Sequence, residues 1–186
     1  MENVNQTVIN NANTVTTPVC TTLEERLWKP EKSAQALRDE IVEQAKADVE
    51  DLFKRDIGYR HDFIVNSEKR TVVALRKSFG EGYVRDRGIT KATPDDCFNV
   101  HIGKAIALRR ALGLAVPDEY LNAPQPTEVR VGDVIEVTLD SGEIEKKPVI
   151  SLKAGSLNAH LPGRIIQYPA HYVKIINDSG EEVGGE

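Results

Sequence analysis

"KRTVVALRKSFGEGYVRDRGITKATPDDCFNVHIGKAIALRRALGL", residues 69–114, decides the fold. Its first half is strand-like. "TVVALRKS" (71–78) is rich in β-branched residues and follows "DFIVN" (62–66) across the short polar "SEKR" (67–70), a pattern that predicts a tight hairpin. "YVRDRGITKAT" (83–93) comes after the glycine-containing "FGEG" and supplies the third strand of a meander. The period then changes. Ile102, Ala105, Ile106 and Leu112 recur at helical spacing, Asn99 suits an N-cap, and Gly113 with Pro117 stops the helix. A helix from about Asn99 to Leu112 is expected.

Upstream, Leu37, Ile41, Ala45, Val49, Leu52 and Phe53 repeat every three or four residues between charged positions, predicting a helix from about Glu31 to Arg55. At 1.5 Å per residue it would extend roughly 37 Å. A stripe of that length needs cover, either from a second copy of the chain or from its own sheet. Thr22 and Glu25 have capping-box spacing, and Pro30 separates that segment from the long helix. Residues 1–20, dominated by Asn and Thr, read as a flexible polar tail.

Downstream, "VPDEYLNAPQP" is rich in proline, so 117–126 reads as a linker closing a core domain of residues 21–116. "EVRVGDVIEVTLDSGEIEKKPVISL" and "GRIIQYPAHYVKIINDSGEE" alternate short strands with glycine turns. They predict an SH3-like β-barrel module over 127–180, with 181–186 as a tail. The fold class is α+β: a long N-terminal helix, an antiparallel β-meander plus helix, and the C-terminal module.

The chain carries a net charge of −5, unevenly spread. Residues 69–110 hold ten basic and four acidic side chains, whereas both flanks are acidic. A basic island in an acidic protein marks an anion site or pairs with its own flanks. The overall acidity speaks against nucleic acid as the partner. No apolar run approaches the length of a membrane span, no signal segment opens the sequence, and Cys20 and Cys97 are far apart. A soluble protein of the cytoplasm is expected.

Catalytic chemistry needs a nucleophile with a base, a metal set, or poised carboxylates. His61, His101, His160 and His171 show no metal-ligand spacing, and there is no CxxC or glycine-rich phosphate loop. Asp95 and Asp96 precede a helix, where acids suit the positive end of the dipole. A non-enzymatic protein without cofactor or metal is the expectation. The candidate ligand residues are those able to grip a phosphorylated ligand. Arg109 and Arg110 offer planar cationic forks, and Arg85 and Arg87 alternate on the third strand; Phe98 offers a ring to stack on a base, and Asn99 a side chain to read its edge.

Gly88, Lys91, Pro94, Asp96, Phe98, Gly103, Ile106, Ala107, Arg110 and Ala111 match a pattern, G-x-x-K-x-x-P-x-D-x-F followed by G-x-x-I-A-x-x-R-A. It resembles small phage and prophage accessory proteins, over about a quarter of the chain. The plan of a long helix, a sheet and a following helix is also similar to anti-Thoeris sponges. That similarity implies a homo-oligomer formed through the 31–55 helix and a cyclic ADP-ribose-type signal, its base stacked on an aromatic and its phosphates on arginines. The leading expectation is therefore a phage protein that sequesters a small nucleotide immune signal in the cytoplasm of a bacterial host. The alternatives are a nucleic-acid- or protein-binding accessory module and a structural protein of the phage particle.

Overall fold

A computed structural model describes residues 31–80, 82–139, 141–153, 156–161, 164–168 and 173–180. The polar tail 1–20, the Thr22–Glu25 box, His171 and the tail 181–186 lie outside them. The described residues from Lys32 onward belong to one compact unit. It is mixed α and β, with two small antiparallel sheets.

Helix α1 spans Ala34–Arg55 and starts at Ser33, whose side chain accepts from the amide of Ala36 at 3.2 Å. Strands β1 (Tyr59–Asn66), β2 (Thr71–Ser78) and β3 (Val84–Lys91) follow as a sheet of order β1-β2-β3. The β1–β2 turn is fixed locally. Asn66 Oδ1 accepts from the Lys69 amide at 2.7 Å, and Arg70 takes the left-handed conformation at φ 53°.

Helix α2 (Val100–Ala111) lies against this sheet. Gly103, Ala107 and Ala111 recur every four residues and form a small-residue stripe along it. A methyl group on Gly88 of β3 would sit 1.9 Å from the carbonyl oxygen of Ala107 and 2.5 Å from the amide of Ala111. Backbone meets backbone there, so side-chain volume is excluded. The matched glycine and alanine positions of the sequence pattern thus have a packing role in this fold. The helix ends in a Schellman turn. Leu114 N–H donates to the carbonyl of Arg109 at 2.8 Å and Gly113, at φ 68°, donates to that of Arg110.

Helix α1 uses its stripe within the chain. Ala45 packs with Ile102, Ala105, Ile106 and Tyr120, and Leu52 joins Val72, Ala74, Phe98 and Leu108. Leu37 and Phe53, at the stripe's two ends, remain exposed. Both helices therefore pack on one face of the three-stranded sheet, and on its other face Ile64 and Ile89 are exposed.

A short helix α3 (Asp118–Leu121) leads to β4 (Val134–Thr138), β5 (Ile144–Lys153), β6 (Ser156–Leu161), β7 (Arg164–Tyr168) and β8 (Val173–Asn177). They form one sheet of order β7-β6-β5-β4-β8. The expected barrel is not seen to close, because the outer strands β7 and β8 are not paired with each other among the described residues. This sheet is tied to the first part of the chain by main-chain bonds. Phe98 N–H donates to the Ile176 carbonyl at 2.9 Å, and Asp178 N–H donates to that of Phe98.

Candidate functional site

Two of the six candidate residues share an open groove. Arg87 of β3 and Arg110 of α2 line a depression of about 800 Å³ together with Arg55, Arg76, Leu52 and Leu112. That volume lies within the range of small-molecule sites, roughly 300–1,000 Å³. Arg110 is exposed and anchored by a single bond, Nη1–H to the carbonyl of Ile89 at 2.6 Å, along the free edge of β3. It thereby also blunts that edge against pairing with another strand. The Arg87 side chain has no ion pair or hydrogen bond among the described residues.

The other cations of the groove are partly spent. Arg76 holds Asp56 with two N–H bonds of 2.7 Å, gives a third to Asp86 at 3.0 Å, and lies 3.5 Å over the ring of Tyr59. Its hydrogen bonds keep the Asp56 carboxyl below the usual carboxylate range, with a further contribution from His61. Arg55 makes only a loose approach to Asp51, 3.9 Å on an exposed surface. The groove therefore carries four guanidinium groups against two lining carboxylates, beside apolar leucines.

The remaining candidates are placed elsewhere. Arg109 forms a two-bond fork with Asp48 of α1, at 2.5 and 2.7 Å, so it locks helix to helix. Arg85 reaches the hydroxyl of Tyr83 at 3.4 Å. The expected alternation of Arg85 with Arg87 is interrupted by a register shift: Arg76 faces Asp86 but Lys77 faces Val84, leaving Arg85 as the extra residue of a bulge. Phe98 is core, 3% exposed, and is not free to stack on a base. Asn99 is consumed by the fold. Its Oδ1 accepts from the amides of His101 and Ile102, and its Nδ2 donates to Asp178 at 3.0 Å. Phe98, Asn99 and Arg110 do border a second cavity of about 190 Å³, smaller than a nucleotide site requires.

Sequence reasoning missed the acids that neutralise the basic island, Asp48 and Asp56, and the buried polar network around Arg38. Arg38 is 2% exposed and donates to Asp178 and to the carbonyls of Cys97 and Pro124. Nearby Asp133, buried at 3%, accepts from the Arg130 amide at 2.7 Å. Burial pushes its carboxyl up to about 6. Burial also pushes the Cys97 thiol far above its ordinary value, first by desolvation and then by the charge of Asp178, which makes it a poor nucleophile. An arginine at an otherwise apolar helix position was the one signal in the sequence for this network.

Among the described residues no group of three or more His, Cys, Asp or Glu side chains is arranged to hold a metal ion. None of their helices is long and apolar enough to cross a membrane. Comparison with protein-family models, with curated proteins and with solved structures finds no match.

Proposed function

We propose that this chain is a binding protein without catalytic chemistry of its own, and that the groove at the C-terminal ends of α1 and α2 holds a small phosphorylated nucleotide. One observation carries the reading. Arg87 and Arg110, neither ion-paired among the described residues, both line an open groove that Leu52, Leu112 and Leu114 also line. Arginine forks suit phosphate oxygens, and the apolar leucines suit a sugar or base edge. In an infected bacterial cytoplasm such a protein would act as a phage-encoded sponge, withdrawing a cyclic ADP-ribose-type signal from host defence. The five-stranded sheet is then an SH3-like accessory module. A second copy, meeting the exposed Leu37 and Phe53 of α1, is the proposed homodimer partner.

Calorimetric titration with cyclic ADP-ribose and ADP-ribose tests the reading. A charge-assisted hydrogen bond is worth about 1.5–3 kcal/mol, so Arg87→Ala and Arg110→Ala should each weaken binding roughly tenfold or more. Arg109→Ala should lower thermal stability and leave the affinity unchanged. Bound ligand should be released intact on heating. Affinity lost with Arg109→Ala but kept in the other two variants would move the site away from this groove.

A further inference from the structure

The face of the three-stranded sheet turned away from the helices is apolar in its middle and cationic at both ends. Strand alternation assigns the side chains to faces. Val72, Ala74 and Phe63 belong to the core on the helix side, and Gly88 abuts α2. Their neighbours Ile64, Val73, Leu75, Arg87, Ile89 and Lys91 therefore point outward. Ladder register aligns Ile64, Val73 and Ile89 as one row across the strands. Ile64 is 55% exposed and Ile89 48%, so this row lies open to solvent. An antiparallel sheet that faces water ordinarily carries polar residues there. An apolar row on the open face calls for a cover.

The charge around that row restricts what the cover is. Lys91 stands opposite Thr71 at one end, where the β1–β2 turn carries Lys69; Arg60 and Lys77 stand at the other, with Arg87 between. Asp62 is the one acid on the strands of this face, and Glu68 lies beside Lys69 in the turn; Asp62 is already engaged by Arg60 Nε–H at 3.0 Å and by Lys77 Nζ–H at 2.6 Å. These bonds, Lys77 first, hold its carboxyl below the usual range. Lys69, Arg87 and Lys91 have no side-chain ion pair among the described residues. The face is therefore clearly positive, although the chain as a whole is at −5. At 0.1 M salt the screening length is about 10 Å, so the local sign governs a docked partner. Two copies of this face would set cation against cation, which disfavours self-association here.

We infer that the open sheet face is a docking surface for double-stranded DNA, a site that adjoins the nucleotide groove at Arg87 and is otherwise built from different residues. Thr71 and Lys77 of β2 lie six residues apart, so the two cationic ends are about 20 Å from each other at roughly 3.3 Å per residue. A major groove is roughly 12 Å wide and is bordered by two phosphate backbones. The lysines and arginines meet one backbone at each end, and the isoleucine and valine row meets base edges and thymine methyl groups between them. Phosphate contacts set position and most of the affinity. The face carries no aromatic residue, because Phe63 is turned inward and Phe79 and Tyr83 belong to the hairpin beyond its end. Single strands are held mainly by bases stacked on aromatic side chains, and this surface has none to offer.

Fluorescence anisotropy of a labelled 16-base-pair mixed-sequence DNA duplex with the full chain tests this. About four phosphate contacts give a log–log salt slope near −3.6, hence roughly a hundredfold loss of affinity from 50 to 200 mM salt. Lys69→Ala and Lys91→Ala should each flatten the slope by about one. Ile89→Ser should weaken binding with the slope unchanged, and circular dichroism melts check that all three variants fold. Arg110→Ala, which impairs the nucleotide groove, should leave duplex binding intact, so either site can fail without the other. Four results would overturn the inference: no duplex binding at 50 mM salt, tighter binding of the matching single strand, a slope unaffected by Lys91→Ala, or anionic lipid vesicles bound in preference to DNA.

Discussion

Replacing Asp133 by Asn should make the protein more stable, and only above about pH 4. Asp133 is buried at 3% and its carboxyl is pushed up to about 6, first by desolvation and then by the neighbouring Asp178 charge, against the opposing bond from the Arg130 amide. In the unfolded chain the same group titrates near the ordinary value of about 3.9. Its folded pKa is raised, so the native state binds the extra proton. The stability this contributes is complete below about pH 4 and is lost as pH rises through about 6. Titration at about 6 rather than about 3.9 corresponds to about 3 kcal/mol. Asparagine keeps an oxygen to accept from Arg130 and cannot ionise, so it reproduces the protonated form. Urea unfolding of both proteins between pH 4 and 8 should show a gap below about 1 kcal/mol at pH 4 that widens to about 3 kcal/mol at pH 7. In melting temperature the upper figure is roughly 6–12 °C for a chain of this size. A gap that stays constant across the range, or a variant less stable at pH 7, would refute the reasoning.

Two further perturbations probe the scaffold. Gly88→Ala forces a methyl group into the Ala107 carbonyl at a nominal 1.9 Å, so β3 and α2 must separate. Overpacking of this kind costs about 1–3 kcal/mol or more, read as a lowered urea midpoint, whereas Gly142→Ala, with open space around it, should feel only its turn geometry. Arg38→Met removes the bonds to Asp178, Pro124 and Cys97 and leaves a buried carboxylate behind. A loss of about 3–5 kcal/mol is expected, and the double variant Arg38→Met with Asp178→Asn should recover part of it. A double variant no better than the single one would show that the charge pair is not what holds the segment.

Nucleotide titrations should respond to Arg110→Ala and duplex titrations to Lys91→Ala. These tests separate groove from sheet face because Arg110 lies in one and Lys91 on the other. Arg87 sits where the two adjoin, so Arg87→Ala should weaken both and does not distinguish them.

Local patterning determined the secondary structure of this protein. The helix over 34–55, the β1–β2–β3 meander and the Asn99 cap follow from period, turn chemistry and capping, which act over a few residues and are written consecutively in the chain. The close contact of Gly88 with the Ala107 and Ala111 backbone is not legible in the sequence, where these residues appear only as pattern positions. What only the tertiary structure decided is the fate of each charge. Arg109 and Arg110 are adjacent in sequence, yet one is locked to Asp48 and the other lies open along the edge of β3, since successive helix positions are rotated by about 100°. Phe98 and Asn99 looked like ligand residues until folding brought β8 and Asp178 against them, from about eighty positions away. The bulge at Arg85 arises from a ladder mismatch that neither strand encodes alone. Long-range pairing follows from which surfaces bury together, so a guanidinium's role as strut or as binding group is settled only when the distant partner arrives.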